Sequence, residues 1–378
     1  MSPTPVETPA ASGNPAAPAS PDPGTSLRLG EPARANAPDG LVLTALAVSG
    51  SRIFVAGREA GGAPVVRVGE LGNGSIAWTD RIALRLDSDA DVEIEPELWV
   101  DKLSRTRLAV ARRGQDWHAS LLVIEETSQG WTRREALPPW RTEGGGGFEF
   151  EYGSPTVLRG DELFTLTFPG ATLERGRLGE ASSTLLLFRQ DDGWRPTVLP
   201  LADGATELGW GLAVTPDGAT LALVAAHGSD GHHLDLYARA GAGFEPTQTV
   251  ALSGPPWMSV VSTSSRLVVV TRALVVLREH DGRWSEERRL ALPDTEETAR
   301  GVGSHLTPIA SGDRLFVWRA DRTLFAVDLG ASRAVRPVEL PAGVERRALR
   351  AWALSGPRLV ALHGGEILWW SLEPPATP

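Results

Sequence analysis

The 378-residue sequence contains no cysteine, so it can form no disulfide, thiolate zinc site or iron–sulfur cluster and offers no cysteine nucleophile. Cationic residues are also in deficit: 37 Lys and Arg face 47 Asp and Glu, a formal charge of −10. That balance repels polyphosphate and withholds the cations that nucleic-acid binding needs, so no nucleic-acid partner is expected. No apolar run approaches the roughly 20 residues of a membrane-spanning helix, and the N-terminus lacks the basic start and apolar stretch of a signal peptide. Motifs of common chemistry are missing too: no GxSxG elbow, no HExxH helix, no Walker loop and no GxGxxG after a strand. What is present is a globular composition, 42% hydrophobic, with enough length to bury a large core.

Residues 1–25 are Pro, Ala, Ser and Thr with almost no large apolar side chain. Such a segment cannot offset its ordering entropy by burial, which predicts a disordered, semi-extended tether. The last residues, 374–378, read as a disordered tail. As given, the chain reads as cytoplasmic. The alternative is an exported, lipid-anchored protein in which the tether follows a lipidated cysteine in place of Met1, and the first codons of the gene decide between the two.

A small-residue turn followed by an apolar run recurs along the chain, as in SGSRIFVAG, SRTRLAVAR, RGDELFTLT, PDGATLALVA, SSRLVVVTR, SGDRLFVWR and SGPRLVALH. Its first apolar residues are Ile53, Leu108, Leu163, Leu221, Leu267, Leu315 and Leu359, spaced 44 to 58 residues apart. That period fits one supersecondary unit. Each unit continues with a second apolar run, and five then add a strand with an aromatic near its start: Trp78, Trp131, Trp194, Phe244 and Trp284. With the segment before each turn, the unit has four strands. Seven such units predict an all-β fold, a seven-bladed β-propeller of four-stranded antiparallel blades spanning residues 26–373. The last unit lacks room for its outer strand, so residues 26–31, which align with the segment from Arg336, are expected to close the ring by pairing with blade seven.

Blade four, GWGLAVTPDGATLALVAAHGSDGHHLDLYARAGAGFEPTQTVAL, resembles an FG-GAP repeat of the integrin-alpha type, and DDGWRPTVLPL and HDGRWSEERRLAL echo its ending in blades three and five. The resemblance implies a propeller. The calcium loop of that family is absent from blade four, where the hairpin reads HGSDGHH. Blade six, GDRLFVWRADRTLFAVDLGASRAV, is similar to a quinoprotein-type propeller repeat.

In an up-and-down blade, the loop between strands two and three and the connector to the next blade emerge on one face. That face gathers an acidic and aromatic set. Trp117, Trp140, Tyr152, Trp210 and Trp257 are candidate anchors for a partner, ringed by Asp89, Asp91, Glu93, Glu149 and Glu151. Asp87, Asp89 and Asp91 alternate, and calcium is the one cofactor they suggest. The favoured reading is a solvated acidic connector, since Val92 stands where a calcium loop of the EF-hand form has Gly. His227, His232 and His233 with Asp230 and Asp235 read as a polar hairpin, because adjacent histidines in a strand face opposite ways and cannot easily share one zinc ion. The Gly144–Gly147 run reads as a loop, not a phosphate cradle. The recurring tryptophans point to packing between blades, and Trp369 and Trp370, being consecutive, must face opposite sides of a strand.

These features predict a non-catalytic interaction module that binds a protein partner, a basic one to match the acids, through the acidic, aromatic face. Two alternatives remain: a carbohydrate-binding, lectin-like propeller in which tryptophans stack on sugars, and a propeller enzyme such as a lyase or lactonase. No catalytic residue is assigned.

Overall fold

A computed structural model of the chain describes residues 26–84, 95–100, 107–113, 119–137, 150–169, 184–228, 231–252, 258–271, 273–293, 306–319, 323–330 and 334–372. The turn-and-apolar repeat folds as seven antiparallel blades, each entered along its innermost strand. Blade one is Val42–Ser49, Arg52–Arg58, Pro64–Leu71 and Ile76–Ala83, and blade two is Glu95–Val100, Arg107–Arg113, Ala119–Thr127 and Gly130–Leu137. Blade three is Phe150–Arg159, Glu162–Pro169, Thr184–Arg189 and Arg195–Val198, and blade four is Glu207–Val214, Thr220–Ala226, His232–Ala240 and Gly243–Ala251. Blade five is Ser259–Ser262, Arg266–Val270, Ala273–His280 and Arg283–Ala291. Blade six is Leu306–Ser311, Arg314–Arg319, Leu324–Asp328 and Arg336–Glu339. Blade seven takes Leu349–Ser355, Arg358–His363 and Glu366–Ser371 from the C-terminal end of the chain. Among the described residues no helix is long and apolar enough to cross a membrane.

The first strands of successive blades touch all the way round, including blade seven against blade one, so the ring is closed. The core is divided accordingly. Seven apolar clusters fill the seven spaces between neighbouring blades. Period-two alternation produces this, because each central strand sends alternate side chains to the blades on either side. The seven repeat anchors, Ile53, Leu108, Leu163, Leu221, Leu267, Leu315 and Leu359, are all fully buried. Burial of each stabilises the fold by about 1.5–3 kcal/mol.

The outer-strand aromatics pack toward the preceding blade, as their recurrence predicts. Trp194 lies against blade two, Phe244 against blade three and Trp284 against blade four. Trp131 joins the cluster between blades one and two, and Trp78 the one between seven and one. Trp369 and Trp370 point to opposite sides, one into each interface of blade seven, and both are buried. Their indole nitrogens are satisfied, Trp369 donating to the Gly72 carbonyl at 3.2 Å and Trp370 to the Gly30 carbonyl at 2.8 Å.

Closure by the N-terminal segment differs in register from the expectation. The strand that completes blade seven is Ala33–Asn36, paired antiparallel with Glu366–Trp369, and not residues 26–31. Leu27–Arg28 instead pair in parallel with Val338 and Glu339 as a fifth strand on blade six. Packing explains the choice. Leu29 is buried and Leu27 half-buried in the cluster between blades six and seven, while Ala33, Ala35 and Ala37 are small enough to line the interface with blade one beside Trp369. Blade seven has no outer-strand aromatic, and Leu27 and Leu29 reinforce that interface instead. Residues 1–25 and 374–378 lie outside the described residues.

A polar girdle reinforces the ring. Arg52 on blade one grips Glu126 on blade two with two hydrogen bonds of 2.6 and 2.7 Å. Arg107 on blade two donates to Gln190 at 2.6 Å and pairs with Asp161, both on blade three. Between blades three and four the charges are exchanged: Glu162 stands at the arginine position, and Arg239 of blade four meets it at 2.8 and 2.6 Å. Gln248 spans blades four and five through both backbone groups of Trp284.

Candidate functional site

Strand direction sorts the loops into two rims. Connectors from outer strand to the next inner strand share a rim with the hairpins between strands two and three, and the remaining turns share the other. On the connector rim, the best-described constellation belongs to blade four. Its hairpin leaves Ala226 and returns at His232, closed by the His227 N–H donating to the Gly231 carbonyl at 3.0 Å. Gly228 and Gly231 have φ of 52° and 91°, which glycine adopts without strain. Thr206 ties the connector to this hairpin: its hydroxyl donates to the Ala226 carbonyl at 3.2 Å and accepts from the Gly228 N–H at 3.2 Å.

Behind the hairpin lies Asp235, a carboxylate with no exposure to solvent. Burial of a carboxylate is tolerable only when donors surround it. Nε2 of His227 is 3.0 Å from both carboxylate oxygens, and the Thr249 hydroxyl donates to Oδ1 at 2.9 Å. The His233 ring lies against that of His227, with centroids 4.5 Å apart. Nδ1 of His227 lies on the side of Gly204, where a β-carbon would stand 3.3 Å from it. Burial and the charge of Asp235 push the Tyr237 phenol well above its ordinary value, so Tyr237 stays protonated. Chemically the arrangement fixes one imidazole at the base of the hairpin and thereby fixes the shape of the rim.

Sequence reading took these residues as a polar hairpin, and the structure adds that the Asp235 side chain points inward as its organising centre. Asp230 lies outside the described residues. Among the described residues no group of three or more His, Asp or Glu is placed to hold a metal ion.

The acidic and aromatic set is only partly placed. Trp117, Trp140, Trp257, Asp87, Asp89, Asp91, Glu93 and Glu149, with the Gly144–Gly147 run, lie outside the described residues. Glu151 and Tyr152 fall in the first strand of blade three, and Trp210 in the first strand of blade four. For Glu151, Tyr152 and Trp210 this corrects the expectation of connector positions. Both neighbourhoods are bulged: pairing jumps from Gly153 to Thr156 and from Leu208 to Leu212. Glycine and proline made these segments read as loop, whereas the extra residues of a bulge remain part of the strand. Gly211 shows why: a β-carbon there would stand 2.9 Å from the Met258 carbonyl of blade five.

No protein-family model matches the sequence, and a search of curated proteins finds no match. Solved structures do match. A chain of the mitotic checkpoint complex superposes with a TM-score of 0.57 at 14% identity, covering 97% of this chain and 100% of that one. The β-propeller domain of Cps50 (Swd1) from Myceliophteria thermophila gives 0.54 at 13% identity, covering 91% and 99%. The fold is a β-propeller. At these identities the likeness concerns the fold, and the propeller carries its own side chains on a shared frame.

Proposed function

We propose that this propeller is a non-catalytic interaction module that holds a partner protein against its connector rim. The observation that carries the reading is the topology: the described strands flanking the segments that bear Trp117, Trp140 and Trp257 and the acids from Asp89 to Glu149 end on one rim. Seven packed interfaces, with the polar girdle on the opposite rim, make the ring a rigid base, which lowers the ordering cost of binding. The aromatics would serve as anchors and the acids would steer a basic partner, making association salt-sensitive. One structurally similar propeller is part of a multiprotein assembly, the mitotic checkpoint complex, which fits such a role. The FG-GAP likeness of blades three to five belongs to the same proposal.

The test is capture by the immobilised full chain, comparing the wild type with the double variant Trp140→Ala/Trp257→Ala. Loss of the captured partner with an unchanged melting temperature supports the reading. Undiminished capture contradicts it, and a collapse in stability shows that the two tryptophans are core residues.

A further inference from the structure

Asparagine is scarce in this chain, which has it at Asn14, Asn36 and Asn73 alone. The three differ in the backbone nitrogen that follows them. Asn14 precedes Pro15, which carries no N–H, and lies outside the described residues. Asn36 ends the strand that completes blade seven, and the N–H after it, that of Ala37, is engaged with the Gly365 carbonyl at 2.9 Å. Asn73 precedes Gly74, in the turn between strands three and four of blade one on the rim opposite the connectors.

That turn is tied at its base and open at its tip. The Gly72 N–H donates to the Ser75 carbonyl at 2.8 Å, and the Gly72 carbonyl receives the indole N–H of Trp369 from blade seven. Between these ties Asn73 and Gly74 are exposed, and among the described residues neither makes a hydrogen bond. A β-carbon on Gly74 would meet no atom within 4 Å. Glycine itself has none, so its nitrogen is unshielded toward the side chain before it. Of the three asparagines, Asn73 is therefore the one followed by a free and uncrowded N–H.

We propose that Asn73 is a modification site at which the chain converts its own asparagine to aspartate and isoaspartate. The Gly74 nitrogen bonds to Cγ of Asn73 while the Cγ–Nδ2 bond breaks, and the Gly74 proton leaves with Nδ2 as ammonia. A five-membered succinimide results. Water from the solvent then reopens it, its hydroxyl going to a ring carbonyl carbon and its proton to the nitrogen. Addition at Cγ leaves aspartate, and addition at the backbone carbonyl leaves isoaspartate, whose main chain is one carbon longer. Either product adds a negative charge one residue from the carbonyl that holds Trp369. The strand after the turn brings Ile76 and Trp78 to the interface between blades seven and one, so the lengthened turn loosens that interface. The site does not depend on the role of the connector rim.

Incubation of the full chain at mildly alkaline pH, followed by peptide mapping with mass spectrometry and an enzymatic assay for isoaspartate, tests the proposal. Asn73 should convert, with isoaspartate among its products, while Asn14 and Asn36 stay intact. Gly74→Ala should slow conversion about tenfold by shielding the nitrogen. The variant should fold normally, because its β-carbon has room and the φ of Gly74 is not in the left-handed region. Incubated wild type should melt below fresh protein, and incubated Gly74→Ala should not. Conversion of Asn73 no faster than that of Asn36, or an unchanged rate in Gly74→Ala, overturns the proposal. A converted chain that melts with the fresh one overturns the link to the interface.

Discussion

The interface between blades three and four and the one between blades six and seven solve the same problem with different materials. At the first, Phe244 closes the apolar space and the Glu162–Arg239 pair clamps the rim above it. At the second, the aromatic comes from within blade seven, where Trp370 stacks on Trp352 at 5.7 Å, and the N-terminal Leu27 and Leu29 seal the outside. An interface built from consecutive repeats can be read locally. One built from the two ends of the chain depends on segments some 340 residues apart, such as Gly30 and Trp370. The ring is therefore held at its seam in part by Leu27 and Leu29, side chains that no repeat contains.

The largest expected effect of a single substitution lies at that seam. Trp370→Ala removes the stack on Trp352 and the bond to Gly30, and should cost about 3–5 kcal/mol in a denaturant titration. A cost below about 1 kcal/mol would place the seam's strength elsewhere.

The contrast sharpens at the exchanged clamp between blades three and four. Glu162→Arg faces Arg239 with a like charge and should destabilise by about 1 kcal/mol, a small figure because the pair is partly solvated. Adding Arg239→Glu restores the arrangement used by Arg52 and Glu126, so the double variant should recover most of the loss. A double variant no better than the single one would show that the pair is incidental.

Smaller still is the response to acid. Hydrogen bonding to Arg81 holds the Glu59 carboxyl below its ordinary value, and Arg266 does the same for Glu287. A carboxyl depressed in the folded state contributes stability above its unfolded pKa, about 4.5 here, and that contribution is lost as pH falls through the lower folded value. The melting temperature should therefore drop on acidification below pH 4.5, and less steeply in Glu287→Gln.

These differences also mark how far the sequence could be read. The seven anchors were legible because each follows a turn of small residues and opens an apolar run, two local signals in fixed order. Residues 26–31 were matched to the wrong edge for a physical reason. Their alternating leucines imitate the outer strand at Arg336–Glu339, yet leucine gains more by filling the seam than by covering an edge, and the plain sequence ARAN closes the blade. The girdle was invisible because its partners are far apart in sequence, 74 residues for Arg52 and Glu126 and 77 for Glu162 and Arg239. At the candidate site, Asp235 looked like one more polar residue in a hairpin. Strand alternation places it inward, but only the pairing of His227 and Thr249 shows why a charge is tolerated there.

The seam itself can be measured by truncation. Chains lacking residues 1–24, 1–31 and 1–37 remove, in turn, the Pro- and Ala-rich segment, the parallel strand with Leu27 and Leu29, and then the closing strand Ala33–Asn36 as well. Their melting temperatures should fall in two steps: unchanged for the first, lower for the second and lowest by a wide margin for the third. Equal melting temperatures for all three would contradict closure of the ring by the N-terminal segment.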